Sequence, residues 1–79
     1  MPHTIAYAEL TAHAERQIRE YVALAAAAGD DPERGAMRAS AVSVFAFWVG
    51  HVNRLRKTAD EAGRRMLNAD ESRLLALVA

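Results

Sequence analysis

Ala41, Phe45, Trp48, Val52, Leu55, Ala59, Ala62 and Met66 follow one another at spacings of four, three, four, three, four, three and four. An α-helix with 3.6 residues per turn lines such positions up on one side, and none of the eight carries a charge. A strand fits worse, because "VSVFAFWV" has no alternation that would leave one face polar. The pattern stays in phase through Gly50 and Gly63, so it predicts one unbroken helix over about residues 34–67. A competing signal sits inside it. Thr58 with Glu61 forms an S/T-x-x-E box, the signature of a helix start, and marks where the rod would break or kink if it does.

The segment before it is also helical. Tyr7, Thr11, Ala14, Ile18, Tyr21, Ala25 and Ala28 recur at alternating four and three, between Thr4 as a candidate N-cap and Gly29 as a C-terminal stop. Glu9, His13, Arg16 and Glu20 take the far face. Glu15–Arg19 is an i,i+4 ion pair of favourable polarity, and Arg16–Glu20 runs the other way. The first helix is therefore expected over about 4–28. In "GDDPERG", Asp31 can cap the next helix with Pro32 at its first position, while Gly35 can delay the start by a turn. After residue 67, Asn68 reads as a new cap, with Glu71 three residues on and Leu74, Leu75 and Val78 on one side. A short third helix over about 69–79 follows.

The expected fold is all-α, a single helical domain over residues 1–79. It is an antiparallel hairpin of the first helix on the long second, plus a short C-terminal helix folded beneath the overhang. On the second helix Met37, Val44, Phe45, Trp48, Val49, Val52 and Leu55 span an arc of roughly 150°, wider than one neighbour covers. A third helix of about eleven residues cannot cover the rest. Phe45, Trp48, Val49, Val52 and Leu55 are thus expected as a core or dimer seam, and the whole as a homodimeric bundle. Seventy-nine residues without cysteine favour the same expectation, since so small a core is marginal unaided.

Phe47 stands apart. It projects with Ser40, Ser43, Gly50 and Arg54 on the face that is otherwise small and polar. Aromatic and Arg side chains anchor protein contacts, so Phe47, Ser43, Gly50, Arg54 and Lys57 form the candidate partner-binding face. Charge supplies a second candidate. Residues 1–33 hold two Arg against six acidic residues, whereas residues 34–67 hold six Arg and one Lys against Asp60 and Glu61. On a continuous helix Arg54, Lys57, Arg64 and Arg65 share one outer stripe, as phosphate binding would need. Glu61 within that stripe, zero net charge and no helix-turn-helix spacing weigh against it.

Catalytic patterns are not found. There is no G-x-S-x-G, no Gly-rich phosphate loop and no cysteine nucleophile. Glu9 and His13 lie one turn apart, but two such ligands recur by chance, and His51 reads as a packed histidine rather than a base. Asp30, Asp31, Asp60, Glu61, Asp70 and Glu71 sit where helix starts and solvated faces want them. No enzyme, cofactor, metal site or small-molecule substrate is expected. The N-terminus lacks the basic and apolar regions of a signal peptide, and the longest apolar run, 41–49, is far short of a membrane span. The chain reads as a cytoplasmic, non-catalytic protein-interaction module: a regulator, adaptor or inhibitor, phage- and plasmid-encoded antagonists among them, acting on a larger protein. The alternative is a dimeric nucleic-acid-binding regulator.

Overall fold

The computed structural model describes the backbone of residues 2–79 and the side chains from Tyr7 onward. Three helices follow one another: α1 over Pro2–Ala28, α2 over Glu33–Arg56 and α3 over Glu61–Val78. All described regular structure is α-helical, as the periodicity predicts. α1 begins before Thr4, which lies inside the helix rather than at its cap. The Thr4 side chain lies outside the described residues.

The turn between α1 and α2 forms as its residues dictate. Gly29 takes the left-handed conformation at φ 60°, which ends α1 without the penalty a Cβ would bring. The Asp31 carboxylate accepts the Glu33 N–H at 2.9 Å, while Pro32, expected as the first helical residue, takes the cap position with helical dihedrals and α2 starts one residue later at Glu33. Gly35 does not delay the start.

The rod expected over 34–67 is not one helix. α2 ends at Arg56, residues 57–60 turn, and α3 starts at Glu61 and runs 18 residues. The cap is Asp60, whose carboxylate accepts the Gly63 N–H at 2.7 Å, rather than Thr58. Gly63 keeps the cap uncrowded, since a Cβ there would sit 3.1 Å from Asp60 Oδ1 and 3.3 Å from Ala59 Cβ and would require both to shift slightly. Asn68 caps nothing; α3 passes straight through it. The physical reason for the break is burial. Doubling back lets Leu67 and Leu74 enter the core, each contributing about 1.5–3 kcal/mol, against the few helical hydrogen bonds, about 0.5–1.5 kcal/mol each, given up at the turn.

Ala14, Ile18, Trp48, Val52, Leu67 and Leu74 form the buried core, with Tyr7, Leu10, Val22, Phe45 and Val49 packed against it. The α1 seam is borne out along its length: Thr11, Ala14, Ile18 and Ala25 are buried, and Tyr7, Tyr21 and Ala28 half-buried. The α2 seam holds from Ala41 to Val52 and then fails. Leu55 and Met66 are 41% and 51% exposed, and Ala62 is exposed too. α3 is antiparallel to α2, with Arg38 reaching the Val78 carbonyl and Arg56 reaching Glu71. By helical angle it lies over the side of α2 that carries Phe45 and Val49, within about 20° of Arg38 and Arg56. At 18 residues α3 is longer than the short third helix expected and covers more of α2 than that expectation allowed, while Val42, Phe47 and Leu55 stay exposed.

Trp48 is fully buried where α2 meets α1, and its indole N–H donates to Thr11 Oγ1 at 2.9 Å. Trp48→Ala is expected to cost about 3–5 kcal/mol, a large share of the roughly 4–12 kcal/mol available to a domain of this size. Far-UV circular dichroism should show a largely unfolded chain. Thr11→Val keeps the volume but strands the indole donor, costing about 1–3 kcal/mol and lowering Tm by about 4–8 °C per kcal/mol. An unchanged Tm would mean the hydrogen bond contributes nothing.

Candidate functional site

α3 packs on one side of the α1–α2 hairpin, where Arg73 reaches Glu15 of α1 and Arg56 of α2 reaches Glu71; at 100° per residue Val22 lies within about 20° of Glu15, and Phe45 and Val49 within about 20° of Arg56. At 100° per residue, Phe47 points about 180° from Arg56 and away from α3. It is 67% exposed, the most exposed large apolar side chain described. Its one aromatic neighbour is His51, packed edge-to-face with ring centroids 5.0 Å apart at 66°. His51 is half-buried against that ring, the packed histidine the sequence suggests.

The neighbours of Phe47 leave it accessible. Ser43, Gly50 and Arg54 are exposed, and nothing lies within 4 Å of where a Gly50 Cβ would be. Ser40 is half-buried and donates back to the Ala36 carbonyl at 3.0 Å. Lys57 ends α2 with helical dihedrals and is exposed. The structure thus gathers Ser43, Phe47, Gly50 and Arg54 on one face, with Lys57 at its end. On α1, Leu24 is 53% exposed and, by helical angle, lies on the flank away from Glu15 and α3.

The basic stripe is not assembled as expected. Arg54 and Lys57 end α2, while Arg64 and Arg65 belong to α3, which runs back the other way. Arg65 is also paired with Glu61 at 3.2 Å. The break at 57–60 removes the single helix that would have carried all four.

Sequence reasoning missed the polar ties that hold α3 down. Arg56 reaches Glu71 across the α2–α3 interface, donates to Asn68 at 3.2 Å and braces on Asn53 at 2.6 Å. Arg73 reaches Glu15 on α1 and pairs with Asp70 at 3.2 Å, and the Tyr7 hydroxyl donates to Asp70. Asp70 and Glu71 therefore serve between helices, not at a helix start. Glu15 also keeps its expected partner Arg19 at 2.9 Å. Arg16 contacts His13 Nδ1 at 3.4 Å. The Arg56–Glu71, Arg73–Glu15 and Tyr7–Asp70 ties have no local signal, because the partners stand 15, 58 and 63 residues apart.

Two clefts flank Tyr7 and Met66. One, of about 250 Å³ at the α2–α3 turn, is apolar and lined by Leu55, Ala59, Met66 and Leu67. The other runs between α1 and α3 past Glu15, Asp70 and Arg73. Tyr7, Glu15, Asp70 and Arg73 are committed to one another, and among the described residues no buried polar side-chain atom lacks a partner. No three metal-ligating side chains converge among the described residues. No described helix is long and apolar enough to cross a membrane. No protein-family profile, curated protein or solved structure matches the chain, so no relative lends it a function.

Burial, and then the hydrogen bond to Asp70, push the Tyr7 hydroxyl from 10.0 up to about 12. The folded chain holds that proton more tightly than the unfolded one. The contribution is complete below about pH 10 and lost as pH rises toward 12. Glu15 shifts the other way, held below the usual carboxylate range by Arg73 and then Arg19. Its contribution is present above that range and lost as pH falls through the lowered pKa. Tm measured across pH should show Tyr7→Phe flattening the alkaline limb and Glu15→Gln flattening the acid limb. Identical profiles for wild type and both variants would refute these assignments.

Proposed function

We propose that this chain is a small non-catalytic helical interaction module that binds a larger protein through the face centred on Phe47. One observation carries the reading: a two-thirds exposed phenylalanine stands on the side of the hairpin that α3 leaves bare, braced by His51. A braced ring loses little conformational entropy when a partner covers it, and the small residues around it allow close approach. Arg54 and Lys57 place positive charge at the edge, where it suits acidic groups at the rim of a partner and speeds encounter. Regulator, adaptor or inhibitor roles all fit a module of this kind, an antagonist encoded by a phage or plasmid included. The reading takes the protein as cytoplasmic, in keeping with its lack of cysteine.

The test compares capture from native-host extract by wild type, Phe47→Ala and Arg54→Glu. Phe47→Ala should leave Tm within about 0.5 kcal/mol of wild type, because the ring is mostly in solvent, yet lose the captured protein. Arg54→Glu should weaken capture, more so at low salt. A variant that unfolds would show Phe47 to be part of the core. A partner retained equally by all three would place binding elsewhere. Retention of duplex DNA that falls steeply with added salt would instead favour the nucleic-acid reading.

A further inference from the structure

The turn at residues 57–60 interrupts a hydrophobic seam that does not itself stop there. Leu55, Ala59, Ala62 and Met66 continue the spacing of Ala41, Phe45, Trp48 and Val52 in phase. In the bent chain these continuing positions are largely wasted: Leu55, Ala62 and Met66 are exposed, and Leu55 and Met66 wall an open apolar cleft. We infer that α3 can exchange between two copies of this chain, the turn straightening so that α2 and α3 become one helix and each α3 docks on the other copy's hairpin.

Four observations support the exchange. First, the turn is nearly helical already. Lys57 has φ −63° and ψ −29°, and its N–H and that of Thr58 bond back to the Arg54 and Leu55 carbonyls at 3.3 and 3.2 Å. Asp60 is plainly extended at φ −77° and ψ −178°. The turn "KTAD" contains neither glycine nor proline, so nothing in it forbids a helix.

Second, the buried stripes stay aligned. On a straight helix Leu67 and Leu74 fall within about 60° and about 40° of Val52, so α3 presents its core face on nearly the side where α2 presents its own. Third, α3 is antiparallel to α2 within the chain. In a two-fold dimer it meets the other copy's α2 in the same sense, and its ties through Asp70, Glu71 and Arg73 are remade between chains.

Fourth, the exposed seam is self-complementary. With the two-fold axis between Asp60 and Glu61, Leu55 faces Met66 of the second copy and Ala59 faces Ala62. Small residues lie at the crossing and large ones outside it, as two helices need to approach closely. Lys57 and Arg64 lie one turn from Glu61 and Asp60 respectively on the straightened helix, offsetting the acidic charge near the axis. The exchange recovers every interface of the bent chain and adds this one, which is why swapping is a low-cost route to a dimer. It does not involve Phe47, which stays exposed in both forms.

The full chain is examined by light scattering after size exclusion, over roughly a hundredfold range of concentration. Wild type should show a dimer growing with concentration. Asp60→Ala removes a cap that exists only in the bent form. About a fivefold shift per chain, counted for both chains, should lower the dimer dissociation constant roughly 25-fold. Glu61→Pro suits the bent form, where Glu61 is the first residue of α3 and follows an extended residue, and it bars a continuous helix. It should abolish the dimer while circular dichroism stays that of wild type.

Glu15→Cys with Arg73→Cys, treated with a short bis-maleimide, reports the connection directly. These cysteines are the chain's only ones. The monomer fraction should link within the chain and the dimer fraction between chains. Absence of dimer in both wild type and Asp60→Ala, persistence of the dimer in Glu61→Pro, or a dimer whose links stay within each chain would each overturn the inference.

Discussion

The bundle depends on burying one tryptophan whose ring is apolar and whose N–H is not. Trp48 offers the largest apolar surface in the chain, but an unpaired indole donor in a dry core costs about 1–3 kcal/mol, more than a hydrogen bond provides. Thr11 resolves the conflict by standing opposite with a hydroxyl oxygen at 2.9 Å. That bond favours the observed register of α1 against α2, because a shift by one turn toward Ala14 would leave the donor facing a methyl group. Ile18 and Val52 then close around the ring, and Leu67 and Leu74 of α3 complete the core.

α3 is attached differently. Its apolar hold on the hairpin rests on Leu67 and Leu74, with Leu77 and Val78 at the margin, and ion pairs at both flanks complete the docking: Arg56–Glu71 toward α2, and Arg73–Glu15 toward α1. These groups are partly solvated, so each pair contributes modestly. Their main effect is orientation, since they hold α3 over Phe45 and Val49 and leave the Phe47 side of α2 open. The exposed face proposed for recognition is thus a consequence of where α3 settles. A helix that docked on the other flank would bury Phe47 and expose Phe45.

The turn at 57–60 shows two local signals of similar size opposing each other. The seam from Ala41 to Met66 favours continuation, and Asp60 with Gly63 favours a restart. The seam alone weighs toward continuity because every position in it is uncharged. It cannot register that Leu67 and Leu74, one position off that seam, gain more by reaching Trp48 than the helix loses by bending. That comparison involves residues far apart in the chain, and no window along the sequence contains it. The same reason hides the Tyr7–Asp70 and Arg73–Glu15 contacts, each joining residues more than fifty positions apart.

What the sequence determined by itself is therefore local and periodic. It set the all-α class, the buried side of α1 from Thr11 to Ala25, the α1–α2 turn with Gly29 and Asp31 in their roles, and the face carrying Phe47. All of these follow from 3.6-residue geometry and from the needs of helix ends. Tertiary structure alone decided where α2 stops, how long α3 is, which flank α3 covers and which carboxylates hold it. Those outcomes depend on the burial gained by closing the chain on itself, a quantity that exists only once distant segments meet.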